Sequence, residues 1–424
     1  MKKDCDLVIA GCGMAGAVAG LTALKRGLHT CIVEKNRREF IGQKMCGELT
    51  TQKIVKWLKQ EYGITIEQYL LKGLEVCSSS EHTSHVNIPL CTVDRLQCGQ
   101  LLVKALLEKG AELHQGTVKN PLGTFAVRGV HTKDAAFHST VTIDCTGVSA
   151  VLRRKVFSSD PHMLGLTYKT NLILKEPVDM DYARLMFNMD VVPSGYSWCF
   201  PKSEYEVNVG VGGLANSQKY LKETLERVIT TLKVTVKKRE HTGFGVVPLG
   251  PPLPSMVYPG LLVCGDAAYQ VNPLTGEGIA PAIKAGYYAG QVAAEAVHAN
   301  DNSVERLWKY NVDFARTYGG KHASLFVARN FLISLSNEDL AYFLKNIVND
   351  EELTNLIEGI TIQENMKNIR TLLSNWRKFK LLYRLFRVFN LMKTVKKLYA
   401  DYPEQPEAFA AWKQNVNSCL HKQM

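Results

Sequence analysis

Residues 6–34 read DLVIAGCGMAGAVAGLTALKRGLHTCIVE, and the order of elements in this stretch decides the fold. Asp6 to Ala10 is a short apolar strand, and Gly11-Cys-Gly13-Met-Ala-Gly16 follows without a spacer. A helical run from Ala15 to Arg26 stops at Gly27, and Thr30 to Val33 is a second strand closed by Glu34. The glycines allow a tight turn and a close approach of backbone to phosphate, and the helix N-terminus beyond them favours negative charge. Glu34 is placed to accept ribose hydroxyls and argues against a 2′-phosphate, so the unit suits FAD or NAD.

A second glycine element separates those two cofactors. Leu261 to Cys264 is an apolar strand followed by Gly265-Asp266, and Asn272-Pro273-Leu-Thr-Gly276-Glu-Gly278-Ile279 opens a helix running to about Val297. An NAD domain has no use for this piece. FAD does: Asp266 can accept from the ribityl chain, and helix N–H groups near Gly278 and Ile279 can stabilise negative charge on a reduced flavin. Arg95 stands at the start of a helix expected over Leu96 to Lys109, in reach of a phosphate or the flavin edge. After a strand at Val141 to Asp144, Cys145-Thr146-Gly147 brings backbone to the same cofactor, and Glu112 to Phe137 alternates like a small antiparallel meander.

Further on, Tyr196-Ser-Trp198-Cys-Phe200-Pro201 precedes, after eight residues, Gly210-Val-Gly212. Alternation sends Tyr196, Trp198 and Phe200 to one face as an apolar wall. Pro201 is expected to end that strand, and Gly210 and Gly212 to let backbone pass close to something bulky. Taken alone, this alternation reads first as a sheet face packed on a core. Lys44-Met-Cys46-Gly47-Glu48 falls on a loop after the first strand–helix–strand unit, where glycine permits contact with a ring.

Together these motifs resemble the geranylgeranyl reductase family, flavoproteins with a hydroxybenzoate-hydroxylase-like fold, from the N-terminus to about residue 330. Gly11, Gly13, Gly16, Glu34, Arg95, Gly265, Asp266, Pro273, Gly276 and Gly278 are shared with hydroxylases and halogenases. Cys46-Gly47-Glu48 and the Tyr-x-Trp-x-Phe-Pro, spacer, Gly-x-Gly stretch indicate the branch. The resemblance implies an FAD site that also takes in Ala15, Lys35, Val118, Gly147 and Ile279. It implies catalysis around Cys46, Tyr196, Trp198 and Phe200, with Gly210 and Gly212 beside the substrate. The implied reaction saturates carbon–carbon double bonds of a polyprenyl chain on a lipid or diphosphate, with electrons from ferredoxin, a reduced flavin or NAD(P)H. Cys46 or an ordered water supplies the proton. The runner-up is a monooxygenase or halogenase acting on an aromatic substrate; Thr146, where hydroxylases carry aspartate, weighs against the first.

The implied architecture is α/β: a Rossmann-like FAD-binding domain in two parts, 1–150 and 246–325, an inserted antiparallel β-sheet substrate domain at 151–245, and a helical region at 326–424. The 424 residues, 46% hydrophobic, are ordinary globular material, and a charge of +11 points to an anionic partner. Nucleic acid is not expected, because no binding module accompanies the charge. The basic residues gather between Met366 and Ala400, where Lys367, Arg370, Arg377, Lys378, Lys380, Arg384, Arg387, Lys393, Lys396 and Lys397 stand without an acid. Trp376, Phe379, Leu382, Leu385, Phe386, Phe389 and Met392 recur there at helical spacing. Such a helix lies on an anionic membrane surface or packs on the protein with a solvated basic face. Eleven cysteines without zinc-type spacing read as free thiols, with no metal, in a cytoplasmic protein or one peripheral at the inner membrane surface.

Overall fold

The computed structural model describes residues 2–78, 82–157, 163–217, 219–358 and 378–421. Its first sheet has the strand Lys2–Ala10 near the centre, flanked in parallel by Thr30–Glu34 and Ala136–Asp144. Leu261–Val263 and Glu112–Gln115 extend it in parallel on either side. The central stretches Leu7–Ala10, Thr30–Glu34, Val141–Asp144 and Leu261–Val263 are buried on both faces, which is why they read as largely apolar runs, whereas Glu112–Gln115 at the edge is only partly buried. The helices Met14–Lys25 and Ile279–His298 cross on one face at a distance only small residues allow. A Cβ on Gly286 would fall 2.2 Å from the Ala15 carbonyl oxygen, and one on Gly290 2.6 Å from that of Ala19.

The expected meander over 112–137 is only half realised. Glu112–Gln115 follows the crossover helix Arg95–Glu108 and therefore pairs in parallel with Thr30–Glu34. The antiparallel part is confined to Asn120–Pro121, Gly129–His131 and Ala136–Asp144.

The second sheet takes, in order, the strands Val236–Pro248, Leu164–Leu174, Glu206–Leu214, Gly195–Ser203, Tyr182–Met186, Gly73–Cys77 and Thr83–Val86. Its last two strands come from inside the segment expected to serve only the nucleotide domain, and Tyr182–Met186 pairs with Gly73–Cys77 in parallel. Alternation divides its faces. Cys199, Val207, Val209 and Val211 pack under the helix Leu221–Thr231; Trp198 and Phe200 turn the other way. Pro201 does not end its strand, which continues to Ser203 with Pro201 opposite Val207. Pro201 lies beyond the last residue paired to Tyr182–Met186, so its missing N–H costs no ladder bond there.

Beyond Gly320–Leu332 the chain is helical at Asn337–Asn346, Asp350–Glu358, Phe379–Ala400 and Phe409–His421. The Phe379–Ala400 helix buries Leu381, Leu382, Leu385, Val395 and Tyr399, so one face packs on the protein. Phe379, Tyr383 and Phe386 are 68, 56 and 57% exposed and share the opposite side at i, i+4, i+7 spacing. The packing reading of this helix therefore holds for its buried face. The basic stretch before Lys378, including Lys367, Arg370, Trp376 and Arg377, lies outside the described residues. Among the described residues no helix is long and apolar enough to cross a membrane.

One cysteine expectation fails: Cys5 and Cys31, on the adjacent strands Lys2–Ala10 and Thr30–Glu34, are joined by a disulfide, leaving nine free thiols. Their separation of 26 residues gave no hint, because parallel strand pairing sets their proximity.

Candidate active site

The cradle at the carboxyl ends of the first sheet is shaped by absent side chains. Gly11 has φ +99°, and a Cβ there would fall 2.3 Å from the Cys145 carbonyl oxygen; one on Gly16 would strike Gly11 itself. Gly13, at the N-cap of the helix Met14–Lys25, has nothing within 4 Å of its Cβ position, which leaves backbone open to a phosphate. Glu34 is buried and accepts from the Cys12 and Asn36 N–H groups at 2.8 Å each, one per carboxylate oxygen. Each oxygen keeps a lone pair for a ribose hydroxyl. Lys35 next to it is exposed, and Val118 is buried in the first core.

Asp144, which sequence reasoning passed over, braces the floor of this cradle. It is wholly buried and accepts from Thr146 N–H and Oγ1 at 3.0 and 2.6 Å and from the Leu152 and Arg153 N–H groups at 3.0 and 2.8 Å. Thr146 thus caps Asp144, and Gly147 beside it takes φ +67° with open space at its Cβ position. Gly265 and Gly276, both at φ +69°, bound the other side. Gly278 caps the helix Ile279–His298. Arg95 is buried with no partner on Nε among the described residues. A buried guanidinium N–H without a partner fits the acidic group of a bound dinucleotide.

The loop Lys44–Glu48 lies between this cradle and the inner face of the second sheet. Lys44 Nζ donates to Asp266 Oδ2 at 2.5 Å. Met45 nests over Gly243 and Gly245: a Cβ on the first would come within 3.1 Å of Met45 Sδ, and one on the second within 2.8 Å of the Met45 carbonyl oxygen. Gly47 meets Phe200, whose Cε2 would be 2.7 Å from an added Cβ. Glu48 adopts φ +61°, a conformation costing a non-glycine residue on the order of 1–3 kcal/mol. Its carboxylate is anchored by Lys202 Nζ at 2.5 Å and the Arg95 N–H at 3.2 Å.

That anchoring belongs to a buried polar network the motifs did not reveal. Asn208 Nδ2 donates to the Cys46 carbonyl at 2.9 Å, while its Oδ1 accepts from Trp198 Nε1 at 2.9 Å. Lys169 Nζ donates to Asn171 Oδ1 at 2.7 Å, and Asn171 Nδ2 donates to Glu206 at 2.7 Å. Burial lowers Lys169 from the ordinary lysine range, against the pull of Glu48 and Cys46. Lys202 is also penalised by burial, but Glu48 and then Glu206 hold it above the usual value. Lys169, Gly210 and Trp198 are direct cross-strand neighbours. A polar residue at an inward position of an otherwise apolar strand was the available signal.

Trp198 and Phe200 stack at 6.2 Å and 28°, and Tyr196 meets Trp198 edge-on at 6.2 Å. The bulky group for which Gly210 makes room is Trp198: an added Cβ would fall 2.1 Å from its ring. Tyr196, Trp198 and Gly212 line a cavity of about 560 Å³, open side included; Phe200 instead packs on Gly47. The cavity reaches Pro273 and Gly276 at the cradle and is closed by Leu332 and Ile333. Among the described residues its one charged lining residue is Arg329, a buried guanidinium held by the Leu249 and Asn330 oxygens and lowered by burial to about 10.

A glycine-built Rossmann-like cradle of the FAD-binding kind, opening onto an apolar cavity under a mixed sheet, defines a flavoprotein oxidoreductase fold. Residues 165–246, which run through the second sheet from Leu164–Leu174 into Val236–Pro248, match the geranylgeranyl reductase catalytic domain model. The chain is 28% identical to the digeranylgeranylglycerophospholipid reductase of Sulfolobus acidocaldarius, with 98% of this chain and 97% of that protein covered. It is 29% identical to digeranylgeranylglycerophospholipid reductase 1 of Methanococcoides burtonii over 80% of this chain and 86% of that one. A crystal structure of a geranylgeranyl bacteriochlorophyll reductase-like protein from Thermoplasma acidophilum superposes with a TM-score of 0.75 at 24% identity, covering 92% of this chain and all of that one. A flavin-dependent brominase shares the fold at a TM-score of 0.64 and 20% identity, over 84% and 94% of the two chains. Over 98% of its length the chain is similar to a digeranylgeranylglycerophospholipid reductase.

Proposed function

We propose that this chain is an FAD-dependent reductase that saturates carbon–carbon double bonds of a polyprenyl chain carried on a lipid or diphosphate. The observation that carries the proposal is the continuity of the apolar cavity with the cofactor cradle: Tyr196 lines the cavity and donates its hydroxyl to the Thr275 carbonyl at 2.5 Å, in the loop that bounds the cradle. Gly11, Gly13, Gly16, Glu34, Arg95, Gly147, Asp266 and the Gly278–Ile279 helix start would hold FAD. Bound and reduced, FAD supplies a hydride.

The protein's own residues do the remainder. An isolated alkene has no carbonyl to polarise, so a proton must reach the neighbouring carbon as hydride arrives. The half-buried Cys46 thiol is the donor available on the loop between cradle and wall. The ring faces of Tyr196 and Trp198 stabilise positive charge developing on the substrate. The apolar lining excludes water, and burial keeps the Tyr196 hydroxyl protonated by raising it above the usual phenol range. Electrons come from an external donor such as ferredoxin, a reduced flavin or NAD(P)H. The Phe379–Ala400 helix sets its exposed aromatics on an anionic membrane surface.

The test is anaerobic: the FAD-loaded protein is bleached with dithionite and mixed with a geranylgeranyl lipid. Reoxidation coupled to a gain of two mass units per reduced bond in the lipid is expected. A reduced flavin that persists with geranylgeranyl lipid, yet yields an oxygenated product from an aromatic substrate in air, would replace this reading with the monooxygenase one.

A further inference from the structure

The disulfide lies at the opposite ends of the strands from the cradle. Cys5 is six residues before Gly11, so it is roughly 20 Å along the strand from the first glycine. Around it gather groups the proposed reaction does not use. Ligand atoms of Cys5, His29 and Cys31 all fall within 4.8 Å of one another, and so do those of Cys31, Glu112 and His114. Cys31 is common to both sets. Glu112 lies 2.8 Å from His29 Nε2 and 3.0 Å from His114 Nε2, and Lys3 Nζ donates to its second oxygen at 3.3 Å. The His29 side chain is 48% exposed, which gives an ion a path from solvent.

We propose that reduction of the Cys5–Cys31 bond converts this cluster into a site for a thiolate-seeking divalent metal of the zinc class. Cys5, Cys31 and His29 are its ligands, with Glu112 and His114 alongside. Thiolate and imidazole donors select such a metal over magnesium or calcium. Charge supports it: two thiolates neutralise a dication, while Glu112 is already matched by Lys3. A carboxylate bonded to a ligating histidine is the usual outer support of such sites. The chemistry balances. A dithiol reductant delivers two electrons and two protons to the disulfide, giving two thiols, and metal binding then displaces those two protons. Neither step depends on the proposed reductase activity.

The test uses the full-length protein with FAD bound. One sample is reduced anaerobically with an excess of dithiol and then freed of it; another is left oxidised. Each is titrated with cobalt(II), read by thiolate-to-cobalt charge-transfer absorption and by metal analysis. One cobalt per chain with thiolate absorption is expected in the reduced protein only, displaced by zinc. Cys5→Ser and Cys31→Ser should each abolish the band, and Glu112→Gln should weaken binding by about 10–100-fold. Should a cysteine variant misfold by circular dichroism, the exposed His29→Ala substitution carries the test. No thiolate band in fully reduced protein, equal uptake by both redox forms, or a band that survives loss of Cys5, Cys31 or His29 would overturn the proposal.

Discussion

Single methyl groups decide the geometry at the active wall. Gly210 leaves the space that the Trp198 indole fills, and Trp198 in turn holds Asn208, which holds the Cys46 carbonyl. Gly210→Ala is therefore expected to push the ring out and free the loop. Overpacking of this kind costs about 1–3 kcal/mol, visible as a lower melting temperature, together with slower reoxidation of reduced flavin by prenyl lipid. An alanine variant with unchanged rates would show that the indole position is irrelevant. Cys46→Ala makes the complementary case. It should leave the bound flavin spectrum intact while the same reoxidation slows by about a hundredfold or more; an unimpaired rate assigns the proton to water.

At the scale of elements, His322 in the helix Gly320–Leu332 gives a pH-dependent case. It is fully buried beside Phe314 and Tyr318, its Nδ1 has no partner among the described residues, and burial, then the charge of Lys321, lower it to about 3. The unfolded chain binds a proton near pH 6.5 that the folded chain refuses. The stability this contributes is complete above about pH 6.5 and drains away as pH falls toward about 3. His322→Phe is expected to flatten that acid limb in denaturant titrations run from pH 7 to 4. Elements were also the scale at which sequence was most informative. The strand–glycine–helix order of 6–34 and the Gly265-Asp266 piece could be placed because each depends on neighbours in sequence. Asp144 could not, although its partners Thr146, Leu152 and Arg153 are all local, because no motif marks a carboxylate that caps backbone N–H groups. Lys169, Asn208 and the Cys5–Cys31 bond could not, because each acquires its role from a strand distant in the chain. The strands Gly73–Cys77 and Thr83–Val86 eluded the reading for the same reason: alternation marks a strand but not the sheet that receives it.

Across the whole molecule, the C-terminal helices are structural before they are anything else. Tyr402 donates to the Pro254 carbonyl, Trp308 Nε1 donates to Pro403, and Leu332 and Ile333 close the cavity, so removing the tail would unfold the site rather than report on membranes. Substitution is the better probe. Replacing Phe379, Tyr383 and Phe386 together by serine should leave the melting temperature nearly unchanged, since these rings are exposed. Co-sedimentation with anionic liposomes at low salt is expected to fall severalfold, while neutral liposomes bind neither form; equal sedimentation of both proteins removes this helix as the docking face.

The Tyr196–Thr275 hydrogen bond acts as a gauge block between the aromatic wall and the cofactor loop. A phenol is rigid, so the bond fixes the clearance between wall and cofactor loop to within the tolerance of a single contact. Tyr196→Phe keeps the ring and removes only the stop. The variant should bind substrate about as well but react over a broader spread of distances, giving stretched, multi-exponential single-turnover traces where the parent gives one exponential. In this design, reach is a property of the wall and timing a property of one hydroxyl.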